Sequence, residues 1–162
     1  MRKIFLALGA GLMLSAMSCG SQNNASPVTT SREQFYKLGG QWELASVSQD
    51  KGFKIKPFDE GVDLKCWEKS QWKLVANNNT GNYTMMPSEG CPSKTQAIKF
   101  DVSPQSEFKF KKIMPGEAAK NVTAGYSVML QNQTDNAFTL EQSVPFEGNY
   151  LKVYYNFVKI SK

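Results

Sequence analysis

The chain has 162 residues, 41% of them hydrophobic and 12% aromatic, enough for one buried core and too few for two ordinary domains. Its formal charge of +5 includes Arg2 and Lys3 at the very start, and the remaining excess is too mild for a nucleic-acid binder. Histidine is absent, which removes the commonest general base, the Ser-His-Asp and Cys-His constellations, and any Cys/His zinc site.

Met1-Arg2-Lys3 is a charged n-region, Ile4 to Met17 is an apolar run shorter than the ~20 residues of a spanning helix, and Ala16-Met17-Ser18-Cys19 closes it. This predicts a removable export signal over residues 1–18. Ser18-Cys19-Gly20 resembles a bacterial lipobox, with Ala16 and Ser18 in its small positions. The resemblance implies that Cys19 becomes the lipidated first residue of the mature protein, held on a membrane by acyl chains worth about 0.8 kcal/mol per buried methylene. An ordinary secretory signal is the alternative. Gly20 to about Arg32 is Ser, Gln, Asn, Thr, Ala and Pro without apolar periodicity, so residues 19–33 read as an unstructured tether ahead of a folded domain over 34–162.

That domain opens on Leu38-Gly39-Gly40-Gln41-Trp42-Glu43-Leu44. Gly40 lets the backbone turn in closely, and Trp42 and Leu44, two apart, share one face of an extended chain. Gly-x-Trp at the head of an all-β chain resembles the lipocalins, most closely the lipocalin-like lipoproteins of Bacteroidota. The resemblance implies an antiparallel up-and-down barrel of about eight strands, a short helical turn over Glu33 to Leu38, and a long first loop acting as a lid. It also implies a basic residue of the last strand lying across Trp42, for which Lys152 and Lys159 are the candidates. Surface-exposed lipoproteins of that group carry an acidic run after the cysteine. Gly20-Ser21-Gln22-Asn23-Asn24 has none, which points to the periplasmic face of the outer membrane.

The first strand, about Gly40 to Ser48, ends at the turn residues Gln49-Asp50-Lys51-Gly52. Phe53 to Val62 is an irregular loop whose Phe53, Ile55 and Phe58 are too apolar to stand in water. It packs either over one end of a barrel or on its outside. Gln71 to Ala76 and Asn82 to Met86 alternate as a hairpin around Asn77 to Gly81. Gln96 to Val102 and Glu107 to Ile113 are the next pair, and the lysines of Lys109 to Lys112, interrupted by Phe110, read as a solvated strand face. Ala124 to Gln131, Ala137 to Val144 and Tyr150 to Ile160 complete the strands, with Pro145 to Gly148 as the last turn. With Cys19 assigned to lipid, Cys66 and Cys91 are an even pair in an exported chain and predict a disulfide.

A barrel is preferred over a sandwich because it leaves no edges. Its inward set is Trp42, Leu44, Trp72, Leu74, Phe108, Phe110, Tyr126, Val128, Phe138, Leu140, Tyr155 and Phe157. Asp101, Glu107, Glu117, Glu141 and Glu147 are scattered singly, without the pairing that carboxylate catalysis needs, so no enzyme, metal or cofactor is expected. Two functions remain. In the first, the barrel binds a small hydrophobic ligand, its candidate contacts being Trp42, Leu44, Trp72, Phe108, Phe110, Tyr126, Phe138, Tyr155 and Phe157. In the second, those aromatics fill the barrel and the lipoprotein docks on a larger outer-membrane protein complex, with Tyr154, Val158 and Ile160 on the outer face of the last strand as the first surface to consider.

Overall fold

The computed structural model describes residues 27–50 and 53–161, so the signal-peptide and Cys19 readings lie outside the described residues. Helix α1, Pro27–Lys37, leads into eight strands: β1 Gly40–Gln49, β2 Gln71–Val75, β3 Thr80–Met85, β4 Lys94–Val102, β5 Glu107–Ile113, β6 Tyr126–Gln131, β7 Ala137–Phe146 and β8 Asn149–Ser161. Each strand pairs antiparallel with the next in sequence, and β8 returns to β1, which closes the barrel. Closure removes every edge, as expected for an all-β chain whose strands alternate so regularly.

Differences from the sequence expectations lie at the ends of elements. The helix is longer than the expected turn and begins at Pro27, inside the stretch read as tether. Proline is well placed at a helix start. Phe35 on its inner side meets Phe100 of β4 at 5.3 Å between ring centroids, and Leu38 just beyond it is fully buried. Tertiary packing of this kind orders a segment whose composition alone would not. At the β7–β8 turn, Pro145 and Phe146 remain in the strand, and the connection is the two-residue Glu147-Gly148, both at positive φ. That is the backbone a tight hairpin between right-twisted strands requires.

Gly40 sits at φ 138, a conformation side-chain-bearing residues rarely adopt, and it turns the chain from the helix into β1. Trp42 and Leu44 then point inward and are completely buried. The register slips between Leu44 and Ser46 against β8, a bulge at Ala45 that moves the inward positions to Val47 and Gln49. Helix α1 and the β2–β3, β4–β5 and β6–β7 turns gather at one end of the barrel. Gln133 of the β6–β7 turn donates to the Gln34 carbonyl, and Ser106 of the β4–β5 turn bonds the Gln34 side chain. The opposite end receives the long β1–β2 connection.

Cys66 and Cys91 are joined as expected, tying the entry to β2 to the loop after β3. No helix among the described residues is long and apolar enough to cross a membrane.

Candidate functional site

The barrel interior is a column of aromatic rings. At the helix end Trp42 meets Phe138 edge-on at 4.7 Å, and Phe138 stacks on Phe157 at 4.5 Å. Trp42 Nε1 donates to the Leu38 carbonyl at 2.7 Å, satisfying the one polar atom a buried tryptophan brings with it. Lys159, paired with Trp42 across the β1–β8 ladder, lies over its ring at 4.7 Å. The basic residue expected across this tryptophan is therefore Lys159. Lys152 instead pairs with Glu141 on the barrel wall. Above this floor Trp72 packs on Tyr83 at 4.9 Å and Phe157 at 5.4 Å, while Phe108 stacks on Phe100 at 5.6 Å.

The far end is closed by a side chain from a loop. Phe58 belongs to the short turn Pro57–Asp59 of the β1–β2 connection, yet only 4% of its surface is exposed. Its ring lies 5.2 Å from Trp67, 5.1 Å from Phe110, 5.4 Å from Tyr126 and 5.2 Å from Tyr155. It sits in a four-walled aromatic cage inside the mouth of the barrel. The backbone that delivers it is unusual, since Phe58 and Asp59 are both left-handed, at φ 55 and 54. For residues with a Cβ this costs on the order of 1–2 kcal/mol each. Of the two alternatives open for the loop, Phe58 realises the first by entering the barrel, while Phe53 packs against Phe146, in step with the inward Phe138 and Leu140 of β7, at 4.2 Å.

A polar cluster holds the plug in place. The Glu60 side chain is 1% exposed and receives Lys94 at 2.5 Å, Lys112 at 3.0 Å and the Tyr83 hydroxyl at 2.5 Å. Lys112 also donates to the Phe58 carbonyl at 2.8 Å. The Tyr126 hydroxyl lies 3.0 Å from that same carbonyl and 2.9 Å from Asp59 Oδ2, and its single proton serves one of them at a time. Burial pushes the Glu60 carboxyl up, but the hydrogen bonds from Lys94, Tyr83 and Lys112 outweigh it and hold the group below the ordinary glutamate value. Burial, followed by the neighbouring carboxylates, raises the Tyr83 and Tyr126 phenols. Both therefore remain donors.

Lys112 corrects the reading of Lys109 to Lys112 as a solvated face. It is in step with Phe108 and Phe110 and so points into the barrel mouth, with 19% of its side chain exposed. Strand alternation carried that signal, and the run of charge concealed it. Of the expected ligand contacts, Phe110, Tyr126 and Tyr155 wall the cage. Trp42, Leu44, Trp72, Phe108, Phe138 and Phe157 form the packed interior beneath it. Tyr126 is only partly buried, as its place at the rim requires. Trp67, Glu60 and Lys94 escaped sequence reasoning because they lie in, or face, a loop without periodicity. Trp67 is fully buried beside the plug, and among the described residues its Nε1–H has no hydrogen-bond partner. Among the described residues no group of three or more His, Cys, Asp or Glu could hold a metal ion. Surface depressions occur elsewhere, the one between α1 and the β2–β3 turn having a volume of about 370 Å³, and it takes none of its walls from the plug or the cage.

No protein-family model matches the chain, and no curated protein does. Among solved structures it is similar to an odorant binding protein at 11% identity, over 78% of this chain and 74% of that one, with a TM-score of 0.47. Bovine odorant binding protein as a deswapped triple mutant gives 12% identity over 76% and 74%, with a TM-score of 0.44. The complex of bovine odorant binding protein with a selenium-containing odorant gives 11% over 78% and 72%, at 0.45. The eight-stranded barrel itself stands on the strand pairing of this chain.

Proposed function

We propose that this chain is a lipocalin-like lipoprotein of the Bacteroidota type, anchored to the outer membrane through Cys19, and that it binds a small hydrophobic molecule where the Phe58 ring now sits. The observation that carries this reading is the plug itself: a phenyl ring from a strained loop occupying an aromatic cage at the mouth of the barrel. Burying a phenylalanine contributes about 1.5–3 kcal/mol, and two left-handed residues at roughly 1–2 kcal/mol each offset most of it. The ring is thus held weakly by its own burial, and exchange for a free ligand is energetically within reach. The Trp67 Nε1–H beside it, without a partner among the described residues, is a donor that a bound acceptor would satisfy. The anchor rests on the lipobox-like Ser18-Cys19-Gly20 and on the leader before it, and the periplasmic face on the uncharged residues that follow. Binding rather than catalysis is favoured because the chain has no histidine and its cage is walled by rings.

Docking on a larger outer-membrane complex is the second reading. The filled interior favours it, as do Val158 and Ile160, 41% and 44% exposed on the outer face of β8 with Tyr154 beside them half-buried.

A neutral, environment-sensitive apolar fluorophore titrated into the wild type and Phe58→Ala distinguishes these readings, alongside native mass spectrometry of protein taken from its own cells. Ligand binding requires a co-purified small molecule or a markedly tighter fluorophore complex in Phe58→Ala. No binding to either protein, with a stoichiometric membrane partner retained in mild detergent, would transfer the function to docking.

A further inference from the structure

Four polar side chains stand on the inner rim of the barrel, one from each of four successive strands. Tyr83 on β3 is in step with Met85, Lys94 on β4 with Gln96 and Ile98, Lys112 on β5 with Phe110, and Tyr126 on β6 with Val128. An ammonium group turned inward beside an aromatic column, as at Lys112 with 19% of its side chain exposed, is costly unless an anion answers it, and Lys94, 43% exposed, stands at the solvent edge of the same arc. No strand supplies that anion. It comes from the plug loop, as Glu60, whose carboxylate is bonded to Lys94, Lys112 and Tyr83. With the loop withdrawn, the arc offers only cations and hydroxyls that stay protonated, next to a vacated cage. Phe58 and Glu60 thus present an aromatic ring and a carboxylate to two adjoining subsites, with Lys112 touching both residues.

We propose that this segment imitates the ligand, and that the ligand is an amphiphilic carboxylate: an aromatic or compact apolar body joined by a short spacer to an acid group. The body replaces the Phe58 ring between Trp67, Phe110, Tyr126 and Tyr155, and the acid replaces Glu60 on Lys94, Lys112 and Tyr83. This rests on the cage being the ligand seat, and it adds the chemical class.

The test uses ω-phenylalkanoates from propanoate to hexanoate against their primary amides, titrated calorimetrically at neutral pH into Phe58→Ala and Phe58→Ala/Glu60→Ala. In the double variant the best acid should bind at least about tenfold tighter than its amide, the scale of one hydrogen bond to a charged group. Adding Lys112→Gln should narrow that gap, and Phe58→Ala alone should favour the acid less, because Glu60 still occupies the cations. Equal affinity for acid and amide in the double variant overturns the carboxylate class while leaving an apolar cage. Binding of neither overturns the cage as well. Should the double variant not fold unaided, refolding by dilution from urea gives the same answer. Rescue by the acid at concentrations where the amide fails supports the proposal, and equal or absent rescue overturns it.

Discussion

Lys112 Nζ donates to the Phe58 carbonyl at 2.8 Å and to the Glu60 carboxylate at 3.0 Å, so a single cation on β5 grips both the residue that plugs the barrel and the residue that anchors the plug. The arrangement makes closure of the mouth an electrostatic matter as much as a hydrophobic one, since the strained backbone at Phe58 and Asp59 opposes the burial of the ring.

Acid should therefore open the mouth before it unfolds the barrel. The Glu60 carboxyl titrates below its ordinary 4.5 in the folded protein. A depressed carboxylate stabilises the fold fully above its unfolded value, and that contribution is lost as pH falls below 4.5 and through the folded value. Hydrogen exchange of the loop amides around Phe58, followed from neutral pH downwards, should show protection lost across that window in the wild type. In Glu60→Gln the protection of the loop relative to an unstructured chain should be low throughout, with little pH dependence. Identical profiles for the two proteins would remove Glu60 from the closure.

Trp42 holds the opposite end. Its ring is completely buried, bonded to the Leu38 carbonyl and covered by Lys159. Trp42→Ala should cost about 3–5 kcal/mol in urea unfolding, as a large-to-small change in a closely packed interior. Lys159→Gln should cost about 0.5–2 kcal/mol through the lost cation–π contact. A Trp42→Ala loss below that of Lys159→Gln would mean that the helix end collapses around the gap.

The Cys66–Cys91 link closes a loop with a sequence separation of 25 and should contribute about 3 kcal/mol on the chain-entropy account. Cys66→Ser/Cys91→Ser is the variant to measure, and non-reducing peptide mapping of protein purified from its own cells should recover the linked pair. Free thiols at both positions would contradict the pairing.

Cys19 carries the anchoring proposal. Mass spectrometry of the mature amino terminus should find an acylated cysteine, and Cys19→Ala should move the protein from the membrane to the soluble fraction. A Cys19→Ala protein that stays with the outer membrane, together with an unacylated wild type, would remove the anchor.

Strand alternation determined most of the architecture by itself. Residues two apart in β5 to β8 must face the same way, so the apolar sets Phe108–Phe110, Val128–Leu130, Phe138–Leu140 and Tyr155–Phe157 announced one inward surface before any pairing was known. The disulfide followed in the same way from an even pair of cysteines in a chain read as exported. Three decisions belonged to the tertiary structure. It selected Lys159 over Lys152 to cover Trp42, because only strand register says which lysine stands opposite. It turned Lys112 inward, where its alternation pointed but its charge argued otherwise, because a carboxylate from a distant loop was there to receive it. It also drew Phe58 and Glu60 into the mouth of the barrel. A loop has no periodicity that could reveal where its side chains go, and these two are held by partners far away in sequence, which only the closed barrel brings together.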